Sequence, residues 1–179
     1  MELDKLKAVL QPPSKPQEVM AGEEAWESVE ERLGTRLPSD YKKFIETYGT
    51  GTIDNFLLVL NPFSSNTFLN LIEASHDREG LATLRQEYPQ LYVHDRYPAP
   101  GGLLPFASTD NGNILYWRTA GKPDHWTGVV YESRGPEYYG FNGPMTDFLA
   151  ALLSRAIQCD VFPQSFLHDQ AVFTPVQIG

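Results

Sequence analysis

The chain is poor in cysteine and has no long apolar run. Of its 179 residues only Cys159 is a cysteine, so no disulfide can form within the chain and no zinc site can be built from several cysteines. Its apolar runs, such as residues 56–60, are far shorter than the ~20 residues that a membrane-spanning helix needs. Residues 1–13 mix acids with lysines and contain no apolar stretch typical of an export signal. We therefore expect a cytoplasmic protein without a membrane span.

Positive charge is also scarce. Fourteen Lys and Arg against 23 Asp and Glu give a formal net charge of −9. Such a surplus repels the phosphate backbone of nucleic acids and anionic lipid surfaces, so we expect neither as a direct partner. A basic protein, in contrast, would be attracted and would associate faster. The alternative is that the acids serve solubility alone.

Motifs of catalysis and of metal or cofactor binding are missing as well. The sequence contains no Gly-rich phosphate loop, no G-x-S-x-G elbow and no paired-carboxylate signature. The histidines, at 76, 94, 125 and 168, are not spaced as zinc ligands, and the string at 110–113 lacks the spaced ligands of a calcium loop. We predict a protein that is not an enzyme and has no metal or cofactor. The rival hypothesis, an enzyme or small-ligand binder, requires a deep apolar pocket with convergent polar groups.

Apolar residues at helical spacing predict three strong helices. The first spans residues 22–33, where glutamates 23, 27, 30 and 31 lie beside the apolar face and either meet a basic partner or face solvent. The second carries apolar residues at i, i+3, i+4 and i+7 from Tyr41 to Tyr48 and ends at Gly49, and the third begins near Pro144. Residues 66–88 are predicted to be helical with a break between residues 77 and 80.

Short apolar runs between turn residues predict strands. Residues 103–107 and 114–118 flank Asn111-Gly112, the strongest short signal for a hairpin. A second pair is predicted around residues 127–132 and 138–141. Together the segments indicate a single α+β domain in which a mostly antiparallel, twisted sheet packs with helices.

Prolines set the expected domain boundary near the amino terminus. Three prolines between residues 11 and 17 predict that residues 1–17 are a loosely attached leader. Residues 18–179 would then form the domain, which ends in an extended segment rich in Phe and Val.

Residues 26–63 carry a specific combination of residues. It reads Trp26-x2-Val29-x3-Leu33-Gly34-x2-Leu37-Pro38-x-Asp40-Tyr41-x2-Phe44, then Tyr48-Gly49-x-Gly51-x-Ile53 and, after a strand, Asn61-Pro62-Phe63. The combination resembles the signature of the SUKH superfamily, which includes fungal cell-wall assembly regulators and many bacterial immunity proteins. The resemblance implies an α+β fold and action by binding, and it supplies no family-wide catalytic residues.

The resemblance and the negative charge together suggest a function. We expect a non-catalytic immunity protein that occludes a basic, nuclease-like toxin domain; the alternative is a regulatory scaffold of the cell-wall assembly regulator type. Aromatic residues crowd the predicted strands, and Trp and Tyr dominate interface hot spots. The candidate partner-binding residues lie on predicted turns and strand ends near these aromatics: Asp54, Asn55, Asp110, Asn111, Trp117, Glu132, Glu137 and Tyr138. The sequence leaves the oligomeric state open.

Overall fold

A computed structural model describes residues 3–77, 80–167 and 169–178. Over these residues the chain forms six α-helices and one seven-stranded sheet in a single domain, which confirms the predicted α+β class. The helices are α1 (Asp4–Lys7), α2 (Glu23–Leu33), α3 (Ser39–Tyr48), α4 (Leu71–Ala74), α5 (Leu81–Glu87) and α6 (Met145–Leu153). The strands are β1 (Gly51–Ile53), β2 (Leu57–Val59), β3 (Leu103–Thr109), β4 (Ile114–Arg118), β5 (Thr127–Tyr131), β6 (Tyr138–Phe141) and β7 (Phe173–Pro175).

The sheet is a meander with one added strand. Its order is β6-β5-β4-β3-β2-β1-β7, and every strand pairs antiparallel with its neighbours. Strands β1 to β6 follow one another along the chain, whereas β7 returns from the carboxyl-terminal segment to pair with β1. The sequence predicted a mostly antiparallel sheet, and all the strand pairs of this sheet are antiparallel.

The main core lies between one face of the sheet and helices α2, α3 and α6. The four apolar residues predicted for one face of α3, Tyr41, Phe44, Ile45 and Tyr48, are all fully buried there. A smaller cluster covers the opposite face of β3, β4 and β5, where α5 packs. Its buried members are Leu81, Leu103, Tyr116, Val129 and Tyr131. Both faces of the central strands are therefore buried.

Hydrogen bonds accepted by Asp40 and donated by Tyr41 join distant parts of this core. Asp40 Oδ2 accepts from the backbone N–H of Thr146 at 3.0 Å and from its hydroxyl at 3.1 Å, so it satisfies a donor at the start of α6. The Tyr41 hydroxyl donates to the carbonyl of Leu60 at 2.5 Å. These two residues of the motif hold α3 against α6 and against the end of β2.

Two glycines of the same motif are required by close backbone contacts. Gly49 has a φ of 69°, and a side chain there would collide with the backbone of Gln17. Gly51, in β1, faces the carbonyl of Thr174 and the ring of Phe173 so closely that a Cβ would not fit. The motif therefore encodes packing and chain direction.

The prediction of a loosely attached leader over residues 1–17 is wrong for the part that the structure describes. Leu6 and Leu10 are fully buried in the main core, and α1 packs against α6. The Tyr48 hydroxyl donates to the carbonyl of Leu10 at 2.6 Å. The prolines set the path of residues 11–17, but the two leucines four positions apart bury enough apolar area to hold the segment.

The segment 66–88 contains less helix than predicted. It forms a 3₁₀ turn at Thr67–Leu69, then the short α4 and α5. Asn70 begins α4 by accepting from the backbone N–H groups of Ile72 and Glu73, and Asp77 accepts from two N–H groups of α5. Residues 78 and 79, inside the predicted break, lie outside the described residues.

Candidate functional site

Three connections of the meander lie at the same end of the sheet. Successive strands run in opposite directions, so the β1–β2, β3–β4 and β5–β6 connections meet at one end. They comprise residues 54–56, 110–113 and 132–137, and we call them, together with the adjacent Tyr138, the turn edge. Seven of the eight residues predicted for partner binding lie on the turn edge, and Trp117 is the exception.

Hydrogen bonds join the three turns to one another. The backbone N–H of Asp110 donates to the carbonyl of Phe56 at 2.8 Å, which links the first turn to the second. Ser133 links the third to the second, because its N–H donates to Asn113 Oδ1 at 2.9 Å and its hydroxyl donates to the carbonyl of Asn111 at 3.0 Å. The turn edge is thus one connected surface within the folded chain.

Asn113 is the buried centre of these contacts. Its side chain is 1% exposed, and besides accepting from Ser133 it donates through Nδ2 to the carbonyl of Val161 at 3.0 Å. The preceding Gly112 has a φ of 90°, as the turn requires. The Asn-Gly hairpin signal predicted this turn, but it did not reveal the role of Asn113, because the partner Val161 lies far away in the chain.

The β1–β2 turn uses two residues in the left-handed region. Asp54 and Asn55 have φ values of 50° and 52°, a conformation that Asp and Asn tolerate better than other side chains. Asp54 Oδ1 accepts from the backbone N–H of Val172 at 2.8 Å, so the carboxylate is partly engaged in holding the carboxyl-terminal segment. Asn55 is exposed. A partner therefore has free access to Asn55 and only partial access to Asp54.

The other acids of the turn edge are exposed and not neutralised. Asp110, Glu132 and Glu137 all face solvent. The salt bridges found among the described residues involve none of them and not Asp54. Arg134, on the β5–β6 connection, is the single basic residue in these turns. The turn edge carries a local surplus of negative charge.

Tyr138 provides the aromatic part of the surface. It is 48% exposed, and its ring lies edge-on to His94 with the centroids 4.9 Å apart. His94 Nδ1 lies 2.5 Å from the hydroxyl of Tyr131. Burial, with smaller effects from the charges of Arg118 and Arg85, lowers the pKa of His94. The neutral ring can then accept a hydrogen bond from the Tyr131 hydroxyl, and both rings contact the ring of Tyr138.

The sequence did not reveal the contact between His94 and Tyr138. His94 belongs to the irregular segment between α5 and β3, and no spacing rule relates it to β5 or β6. Burial also raises the pKa of Tyr131 to about 12, so its hydroxyl keeps its proton over the range in which the histidine titrates.

The prediction of Trp117 as a partner-binding residue is wrong. Its side chain is 2% exposed and faces the helices, where it stacks on Phe106 at 4.8 Å and meets Tyr41 edge-on at 4.9 Å. Alternation along β4 does place neighbouring side chains on opposite faces, but both faces are covered. Among the other aromatics of the strand region, Tyr138 is exposed and Tyr139 is half-buried, and the rest are buried: Tyr116, Trp126, Tyr131 and Phe141.

Away from the turn edge, the described residues include one cysteine and three histidines whose surroundings bear on catalysis or metal binding. Cys159 is buried, and burial raises the pKa of its thiol, which is opposite to the shift that makes a cysteine nucleophilic. Over the described ranges, which exclude His168, no three His, Cys, Asp or Glu side chains are grouped so that they could hold a metal ion. No helix in the described part of the chain is long and apolar enough to span a bilayer.

The acidic flank of α2 is a second negative region. Glu23, Glu27 and Glu31 are exposed. Glu30 instead faces the core side, where it pairs with Lys42 and accepts from the backbone N–H of Leu37 at 2.9 Å. One of the four glutamates of this flank therefore serves the fold, and the other three face solvent.

Comparison with known proteins identifies a family. The model of the SMI1 / KNR4 family (SUKH-1) matches residues 20–151, which include the motif, the turn edge and most of α6. Neither the curated proteins nor the solved structures include a match to the chain. Members of this family are generally non-catalytic and generally bind protein partners. The chain belongs to the SMI1 / KNR4 family (SUKH-1).

Proposed function

We propose that the turn edge binds a positively charged protein and that the chain is an immunity protein, which neutralises a nuclease-like toxin by occlusion. The observation that carries this proposal is the joining of three turns into one surface that presents Asp110, Glu132 and Glu137 without a salt-bridge partner among the described residues. Tyr138 lies beside these acids and is half-exposed. Family membership supports binding rather than catalysis.

The arrangement suits binding for two physical reasons. First, the turns are fixed by hydrogen bonds within the chain, so little backbone entropy is lost when a partner docks. Second, unneutralised carboxylates at one end of a protein of net charge −9 accelerate association with a cation. Tyr138, with its ring supported by His94, is the type of residue that anchors interfaces.

Occlusion of a nuclease needs no chemistry from this chain. A nuclease must present a basic surface, because its substrate is a phosphate backbone. Carboxylates that occupy that surface exclude the substrate through charge and steric overlap. A standard interface covers about 800 Å² on each partner, so we expect the contact to extend from the turn edge onto neighbouring residues.

A regulatory scaffold of the cell-wall assembly type would use the same surface for a different partner. The geometry of the turn edge suits either role, and the identity of the bound protein distinguishes them. The toxin role is preferred because a nucleic-acid enzyme requires the basic surface that this edge complements.

The proposal is tested first by capturing the partner and then by measuring whether this chain protects growing cells from it. The tagged full chain is used to capture proteins from its own cells at low and at high salt. We expect to recover a basic, nuclease-like protein at low salt and less of it at high salt. Salt screens the electrostatic attraction that speeds association and weakens the charge pairs in the complex. Co-expression of that protein with this chain should restore growth. Recovery of a cell-wall synthesis protein would favour the scaffold, and no specific protein at either salt would contradict the binding role.

A further inference from the structure

Strand β6 forms one outer edge of the sheet, and the ladder fixes which of its backbone groups point outward. The N–H of Glu132 donates to the carbonyl of Glu137, so this pair is hydrogen-bonded. In an antiparallel ladder such pairs alternate with non-bonded ones. Tyr138 and Gly140, opposite Tyr131 and Val129, are therefore at non-bonded positions, and their N–H and C=O groups point away from β5.

These outward groups are accessible. Tyr138 and Gly140 are both exposed, and within the described residues no further backbone or side-chain hydrogen bond reaches their main-chain atoms. Proteins normally protect such an edge with Lys, Pro or a bulge. Strand β7, at the other edge, contains Pro175, whereas the four residues of β6, Tyr-Tyr-Gly-Phe, contain no charge and no proline and pair with β5 in regular register.

A groove follows β6 on its helix side. It has a volume of about 680 Å³ and runs between the strand and α6, with Val9, Phe141, Phe148 and Ile157 among its apolar lining residues. A strand added to β6 would direct every second side chain towards this groove, because side chains alternate between the faces of a sheet. The groove therefore suits an extended segment with apolar residues at alternate positions.

We propose that the edge of β6 binds an extended segment of a cationic protein, which adds to the sheet as a further strand through the main-chain groups of Tyr138 and Gly140. Strand addition of this kind gives affinity through the backbone and specificity through the alternate side chains. The cationic character of the partner rests on the proposed function. Strand β6 begins at the turn edge, directly after Glu137, so a partner bound to the turn edge can also reach β6. A cationic segment is favoured as the occupant over a second copy of this chain, because two chains that each carry a net charge of −9 repel each other.

The probe is an acetylated octapeptide of alternating valine and lysine, titrated into the ¹⁵N-labelled full chain. We expect the amide signals of Tyr138 and Gly140 to shift and their hydrogen exchange to slow, with smaller effects elsewhere on the sheet. A matched peptide of alternating valine and glutamate should bind more weakly, because it meets the same backbone with the wrong charge. Absence of binding, or shifts away from β6, would overturn the inference.

Variants at Gly140 distinguish strand pairing at the edge of β6 from non-specific binding of the peptide. Gly140→Pro removes one outward N–H at a position where an edge strand tolerates proline, and we expect the valine–lysine peptide to bind about tenfold more weakly. Gly140→Ala keeps the N–H, its Cβ would make an ordinary contact with the carbonyl oxygen of Gly128 at 4.0 Å, and it should bind more tightly than Gly140→Pro does. If Gly140→Pro does not fold, Gly140→Lys replaces it, since a lysine at the edge repels the cationic peptide. Equal binding by the parent chain and by Gly140→Pro, or by Gly140→Lys where it replaces that variant, would contradict the proposal.

Two further results are informative. A parent chain that dimerises, with the dimer lost in Gly140→Pro, would show a second copy as the occupant and overturn the cationic segment. Peptide binding at β6 together with an empty capture experiment would leave this inference standing and refute the proposed function. The opposite result, capture that depends on the turn-edge acids with no effect at Gly140, would refute the inference alone.

Discussion

Two regions of the molecule, the α3–α6 junction and the turn edge, contain aspartates with opposite roles. Asp40, at the junction, is 5% exposed and accepts two hydrogen bonds from Thr146. Asp110, on the turn edge, is exposed, and its carboxylate has no salt-bridge partner in the described part of the chain. The contrast teaches that Asp40, the one acid of the family motif, stabilises the fold, while Asp110, outside the motif, is exposed at the turn edge.

The largest effect on stability is expected at the junction. Asp40→Ala removes the buried acceptor that the N–H and the hydroxyl of Thr146 share. We expect the free energy of unfolding to fall by about 2–4 kcal/mol, measured by urea denaturation. Asp40→Asn, which keeps an acceptor oxygen, should lose less. An unchanged urea midpoint for Asp40→Ala would show that the junction does not depend on this carboxylate.

A smaller loss is expected where the amino-terminal segment joins the core. Tyr48→Phe removes the hydroxyl that donates to the carbonyl of Leu10. We expect a destabilisation of about 1–2 kcal/mol, together with faster hydrogen exchange in α1, because the buried carbonyl loses its donor. Slow exchange in α1 of this variant, matching the parent, would mean that apolar contacts alone hold the segment.

The side chain of His94 is half-buried, whereas Asp40 is buried and Asp110 is exposed. We expect His94 to make the stability of the fold depend on pH. The pKa of His94 in the folded chain is lowered from 6.5, so between the two pKa values the unfolded chain binds more protons. Stability is therefore fully present above pH 6.5 and is lost as the pH falls through the lowered folded value. His94→Gln should lack this component of the pH dependence. Identical pH profiles of unfolding free energy for parent and variant would contradict the assignment.

The sequence predicted the individual turns of the turn edge, because turns carry strong local signals, but it did not predict their meeting at one end of the sheet. Asn111-Gly112 specifies a hairpin, and strict succession of antiparallel strands then places alternate turns together. The helix α3 was equally clear, since its four apolar residues repeat at helical spacing. These features depend on neighbours in sequence, which a single chain displays.

Features that depend on distant contacts were not predictable in the same way. The orientation of Trp117 was missed because both faces of β4 are buried, so its residues show no polar alternation. The burial of Leu6 and Leu10 was missed because the prolines that follow suggested a linker. The support of Tyr138 by His94 joins segments whose proximity only the folded chain establishes.

The central claim is that the turn edge, rather than negative charge in general, receives the partner. The direct test is the association rate of the captured protein with two variants that change the net charge equally. One is Asp110→Asn/Glu132→Gln/Glu137→Gln, and the other is Glu23→Gln/Glu27→Gln/Glu31→Gln on α2. We expect association with the first to slow by about tenfold and that with the second to change little, while both unfolding free energies stay within about 0.5 kcal/mol of the parent. Equal slowing by the two variants would contradict the claim.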